Sequence, residues 1–181
     1  KPVRTAGNVS TLYLQEDQEI ASMGLDGLIY SVGGGSDEAD AQTLSYTITA
    51  LPDAAIGSVF LADGTTTVTE QQTLTLEQLQ GLKFLPALNA AGQVSFSFSV
   101  ADSGSSDGDG NIINAAESIT ETVNINILGF NDAPILPVDA ISIDDASEDI
   151  AYTFSAADLL TGVTDVDVDA DGVADVDNLE V

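Results

Sequence analysis

The chain has 181 residues, with 30 acids against three bases (Lys1, Arg4, Lys83), for a formal charge of −27. Such a surface repels nucleic acid and anionic membranes, and the absence of Cys and His excludes disulfides and leaves zinc only carboxylates. Hydrophobic residues make up 44% of the chain, too many for a disordered acidic tail, so a packed core is expected.

Taken in chain order, residues 9–14 read as a first strand. Residues 44–48 (Leu-Ser-Tyr-Thr-Ile) follow with every second residue apolar, the pattern of a half-buried strand. Residues 58–61 and 65–68 are shorter strand candidates. Residues 75–81 predict one helical turn, with Thr75 as its cap, Gln78 at the capping-box position and Gly81 at its end. Residues 94–100 (Val-Ser-Phe-Ser-Phe-Ser-Val) and 119–127 alternate most clearly of all. Turns rich in Gly, Asp and Asn separate these runs, which predicts an all-β sandwich.

The chain also repeats itself. A shift of 132 residues lays Pro2 on Pro134, Ser10 on Ser142, Glu16 on Glu148, Asp17 on Asp149, Asp26 on Asp158 and Leu28 on Leu160. Six identities in 27 positions exceed the roughly two expected by chance at about 7% per position. Three further residues are then needed to bring Leu44 onto Leu179. The organisation expected is one complete repeat over residues 1–130, followed by a linker and the opening strands of a second over 131–181. The second sandwich is incomplete within the sequence. No leader or apolar span is visible, and Lys1-Pro2 reads as the interior of something longer.

Asp165, Asp167, Asp169, Asp171, Asp175, Asp177 and Glu180 crowd the C-terminal end, and no base follows Lys83. Carboxylates this close repel unless a cation joins them, and oxygen-only donors suit Ca²⁺. Asp167, Asp169, Asp171, Gly172 and Asp175 match positions 1, 3, 5, 6 and 9 of an EF-hand-type loop. Position 12 is Asn178 instead of Glu, with Glu180 as a substitute in a longer loop. A solvated acidic loop is the alternative. Asp107-Gly108-Asp109-Gly110-Asn111 is either a second Ca²⁺ loop at a hairpin tip or a flexible connection.

Residues 129–134 (Gly-Phe-Asn-Asp-Ala-Pro) resemble the linker of bacterial cadherin-like tandem repeats. So do Glu16-Asp17 and Glu148-Asp149 after each linker, and the ordered pair of segments 74–87 and 94–104. Together they resemble the extender modules of large RTX adhesins exported by type I secretion. The resemblance covers nearly the whole chain. It implies Ig-like or cadherin-like sandwiches in tandem on the bacterial cell surface, with Ca²⁺ at the junctions and neighbouring repeats as partners. In such a junction Glu16, Asp102, Asn131 and Asp132 would meet Glu148 and Asp165 or Asp167. Ordinary turn chemistry is the alternative for Asn131 and Asp132. Glu16 has an alternative place at an upstream junction with Asp37 and Asp40. The chain departs from the family pattern where an acidic loop separates Asp165-Val166-Asp167 from residues 177–181.

Catalysis draws little from the sequence, which has no His, no Cys and no Gly-x-Ser-x-Gly. The leading expectation is a non-enzymatic, calcium-dependent extender. Its alternative is a Ca²⁺-dependent module for carbohydrate or a surface protein, in which a split domain frames an inserted binding domain.

Overall fold

Alternating apolar residues build the two longest strands, and the other elements of the first unit are arranged around them. The computed structural model describes residues 1–34, 42–106, 109–137, 148–149 and 151–166. The chain divides into two units, Lys1–Gly129 and Phe130–Val181. The first runs β1 (Val3–Ala6), β2 (Leu12–Gln15), β3 (Ala21–Ser22), β4 (Ile29–Ser31), β5 (Leu44–Ala50), β6 (Gly57–Phe60), β7 (Thr73–Leu74), α1 (Leu76–Gln80), β8 (Lys83–Pro86), β9 (Gly92–Asp102), β10 (Ser105–Ser106), β11 (Ile112–Asn114) and β12 (Ser118–Leu128). The fold is all-β and sandwich-like, without a closed barrel.

One sheet has the order β2-β12-β9-β5-β7 and the other β3-β8-β6. β2 joins β12 in parallel, and the remaining pairs are antiparallel. Two small pairs, β1·β4 and β10·β11, complete the unit. The predicted alternation is realised on β9, where Phe96, Phe98 and Val100 are fully buried, and on β12, where Val123, Ile125 and Ile127 join them. Phe84, Leu79 and Leu82 enter the same core from β8, α1 and the turn between them. Tyr30 packs edge-on to Phe98, with ring centroids 6.5 Å apart. Burial, and then the Glu121 carboxylate beside it, push the Tyr30 phenol far above its usual range.

α1 has its predicted capping box. Gln78 N–H donates to Thr75 Oγ1 at 3.1 Å, and Thr75 N–H donates to Gln78 Oε1 at 2.9 Å. Gly81 ends the helix. The strand expected over 65–68 reduces to a single bridge between Phe60 and Thr67. Local turn chemistry outcompetes it: Asp63 Oδ1 accepts the Thr65 and Thr66 amides at 2.9 Å each, and Thr66 Oγ1 donates to Asp63 Oδ2 at 2.6 Å. These bonds, led by those from Thr66, hold the Asp63 carboxyl down at about 2.

In the second unit, α2 (Ala156–Leu159) starts from a capping box made by Ser155 and Asp158. Two local features match the first unit. Asp17 and Asp149, 132 residues apart, are both exposed turn residues at positive φ, 57° and 61°. Ile135 pairs with Thr164 through bonds of 2.7 and 3.0 Å, much as Val3 pairs with Ser31 in β1·β4. The helix α2 has no equivalent: residues 24–27, its counterparts under the 132-residue shift, form only a bend and a turn.

Gly57 shows how tightly the first unit is packed. A Cβ there would lie 2.3 Å from the tip of the Phe84 ring and 2.7 Å from the Leu85 carbonyl. Gly57→Ala should therefore destabilise the unit by about 1–3 kcal/mol through overpacking. A urea titration that shifts the midpoint downward with an unchanged slope would verify this, and an unchanged midpoint would contradict it.

Candidate functional site

The β9·β12 ladder decides which acids can meet. Its register runs from Ala101↔Ser118 at one end to Gly92↔Ile127 at the other. At about 3.3 Å per residue, these ends stand roughly 30 Å apart. Asp102 and Glu117 lie at the first end, since Asp102 N–H donates to the Glu117 carbonyl at 3.0 Å. Glu16 lies at the second, with its N–H on the Leu128 carbonyl at 3.0 Å and its carboxylate beside Gly129. The expected grouping of Glu16 with Asp102 around one ion is therefore corrected: the length of a single ladder separates them.

The Asp102 end is the more elaborate. Oδ1 of Asp102 accepts the amides of Gly104 and Glu117, each at 3.0 Å. Its side chain is only 2% exposed. The α-ammonium of Lys1 stands 3.6 Å from Asp102 Oδ2 and 3.0 Å from Glu117 Oε2. Lys1, Gln42, Asp102, Asn114, Ala115 and Glu117 line a cleft of about 190 Å³. Gln42 is buried there at 9% exposure. The Asp102 carboxyl is held below its ordinary value first by the Glu117 amide, then by the Gly104 amide and the ammonium, against the opposing effect of burial. Gly104 is required at this corner: its φ is +63°, and a Cβ would meet the Asn114 carbonyl at 2.6 Å.

This end also receives the loops that the sequence marked as acidic. Thr43 and Ser103 bond each other in both directions, at 3.1 and 3.0 Å, so the C-terminal flank of the segment with Asp37 and Asp40 is anchored beside Asp102. Asp37 and Asp40 themselves lie outside the described residues. β10 and β11 form a hairpin just after Asp102, and the Asp107–Asn111 segment connects them. Asp109 is described and exposed there, whereas Asp107 lies outside the described residues.

At the Glu16 end, Asp17 Oδ1 accepts the Asn89 amide at 2.8 Å. In the second unit, Asn131 Nδ2 donates to the Asp132 carbonyl at 2.7 Å. The Ile135·Thr164 pairing places Asp165 beside Pro134 by register, two residues from Asp132. Glu148 is an exposed turn residue. Asp167, Asp169, Asp171, Asp175 and Asp177 lie outside the described residues, as does the whole EF-hand-type loop. Among the described residues, no three acidic side chains gather into a metal-binding group. No family model, curated protein or solved structure matches the chain.

Glu117 and Gln42 were missed by sequence reasoning. An acid just before a strand carries no local signal, and only the Ala101↔Ser118 register brings it to Asp102. The carboxylates of Asp102 and Glu117 and the side-chain carbonyls of Gln42 and Asn114 around this cleft are oxygen donors of the kind a hard cation takes.

Asp102→Asn should cost about 1–3 kcal/mol at neutral pH, because buried charge-assisted bonds weaken. The folded carboxyl is depressed from 3.8, so its contribution is complete above 3.8 and is lost as pH falls through the lowered folded value. Urea unfolding across the acid range should show parent and variant converging there. A difference that stayed constant with pH would refute the role of the charge.

Proposed function

We propose that the chain is a calcium-dependent structural spacer of a bacterial surface adhesin, non-enzymatic and working outside the cell. One observation carries this reading. Among the described strands the acidic residues are Asp102 and Glu121 alone, although the chain has 30 acids. Glu121 is answered by Arg4 at 3.3 Å, and Asp102 by the Gly104 and Glu117 amides. Apart from Glu77 in α1 and Asp158 in α2, the other described acids lie outside strands and helices, where like-charge repulsion loosens the chain and a shared dication would tighten it.

In this reading the acidic loop over 165–180 and the junction residues Asp132 and Asp165 hold Ca²⁺. Asp102 and Glu117, with Gln42 beside them, hold a further cation at the other end of the first unit. Bound metal would neutralise carboxylates and couple ordering of the loops to ion binding. Ligands drawn from a linker and two neighbouring repeats would stiffen the connection between repeats.

Calorimetric melting in EGTA and in millimolar Ca²⁺ tests this. Each site held at 100 times its dissociation constant adds about 2.7 kcal/mol, so the midpoint should rise by several degrees. Asp167→Ala combined with Asp169→Ala should lower both the Ca²⁺ stoichiometry and the size of that rise. Lengthening in small-angle scattering should accompany saturation. An identical melt with and without Ca²⁺ would sink the reading, as would unchanged stoichiometry in the double variant.

A further inference from the structure

The outer face of the β2-β12-β9-β5-β7 sheet carries no charged side chain among its described strand positions, in a chain of charge −27. Its outward residues are mainly Ser, Thr, Asn and Gln. The two halves of this face differ. Towards the Asp102 end two hydroxyl pairs bridge neighbouring strands, Ser97 with Thr122 at 2.8 Å and Thr47 with Thr73 at 3.2 Å, and Ser45 Oγ donates to the Ala101 carbonyl at 3.4 Å. Towards the Glu16 end, a cleft of about 550 Å³ opens over β2, β12 and β9. There Tyr13, Asn126 and Gln93 are direct neighbours across three strands, with Asn124 and Ser95 paired in the next outward row. The side-chain amides of Gln93, Asn124 and Asn126 and the hydroxyls of Ser95 and Tyr13 have no hydrogen-bond partner among the described residues. Tyr13 is 68% exposed, the flank of its ring left open to solvent.

We propose that this cleft binds an uncharged glycan through one or two pyranose rings. The ring face of Tyr13 offers a flat apolar surface for the C–H face of a sugar, at little cost in side-chain entropy. The neighbouring amides each supply a donor and an acceptor, and the hydroxyls supply both, which is the pattern that adjacent sugar hydroxyls require. Strand spacing of about 4.8 Å and outward repeats of about 6.7 Å distribute these groups over the area of a sugar ring. The volume lies within the range of roughly 300–1,000 Å³ usual for small-ligand sites. Charge selects among glycans: the cleft has no base to hold a carboxylate or sulfate, and the field of the whole chain repels anions. No carboxylate lines the cleft, so binding there does not run through calcium. This site is distinct from the acidic ends used by the proposed spacer role.

An array of immobilised neutral, sialylated and sulfated oligosaccharides, probed with the full chain in Ca²⁺ and in EGTA, tests the proposal. Neutral glycans should be retained equally in both buffers, and the anionic ones should not. Tyr13→Ala should weaken retention about tenfold or more, and Asn126→Ala should weaken it too. Thr47→Ala, on the internally bonded half, should leave it unchanged. Amide shifts on titration with the best neutral oligosaccharide should fall on residues 12–15, 93–95 and 124–126. The proposal is overturned if no neutral glycan is retained, if Tyr13→Ala binds as the parent does, or if retention disappears in EGTA. Circular dichroism of Tyr13→Ala, an exposed position, confirms that a loss of binding is not a loss of fold.

Discussion

The antiparallel ladder between β9 and β12 is the constraint on which the rest of the first unit depends. Ten consecutive register pairs join two eleven-residue strands. Every other strand of that sheet is fixed through them, β5 along β9 and β2 along β12. Because side chains alternate along a strand, one register decides two surfaces at once. It sends Phe96, Phe98, Val123 and Ile125 inward, and Ser95, Ser97, Thr122 and Asn124 outward. A slip of one residue would bury the hydroxyls and expose the aromatics. The same register sets which polar groups share an end, joining Asp102 to Glu117 and setting Glu16 apart from both.

Much of the fold was legible because burial leaves a periodic trace. The runs at 44–48, 94–100 and 119–127 announced β5, β9 and β12, and Thr75 with Gln78 announced α1. Strands of two residues, such as β3, β7 and β10, are too short to show a period, and β4 has only Tyr30 buried on it. Residues 65–68 misled because alternation and turn chemistry compete there, and three bonds to Asp63 outweigh one possible strand. The site was less legible. The sequence marked Asp102 as important but placed it with Glu16, since proximity at an end is a property of the ladder and not of local composition. Glu117, Gln42 and the Tyr13 cleft left no pattern to read. Their significance arises only when three strands are laid side by side.

The electrostatics follow from the same geometry. A pleated interior has no room for unpaired carboxylates, so the described strands keep two, each with a named partner. Acids elsewhere concentrate at turns, where Asn and Asp also satisfy local backbone, as Asp63, Asp17 and Asp158 do. Several aspartates are thus committed to turns and are poor candidates for metal. The Asp102 corner differs, because both amides fall on Oδ1 of Asp102 and the Glu117 carboxylate lines the same cleft. This gives a physical criterion for sorting acids in such a chain: those whose oxygens are consumed by amides shape the fold, and those that face one another call for a cation.

Segregating charge to the ends has a consequence for the sheet face. A carboxylate among the outward positions of β9 or β12 would hold tightly bound water. Its absence leaves a surface on which uncharged donors and acceptors compete with water on nearly equal terms. On one half of the face, hydroxyl pairs spend that capacity internally. On the other, amides next to Tyr13 retain it, and the apolar ring lowers the cost of displacing water beside them. On these two proposals, cations at the acidic ends and neutral polyols on the flank would use separate parts of one sandwich. They respond to different solution conditions, since chelation and salt act on the charged ends and leave an uncharged cleft largely unaffected.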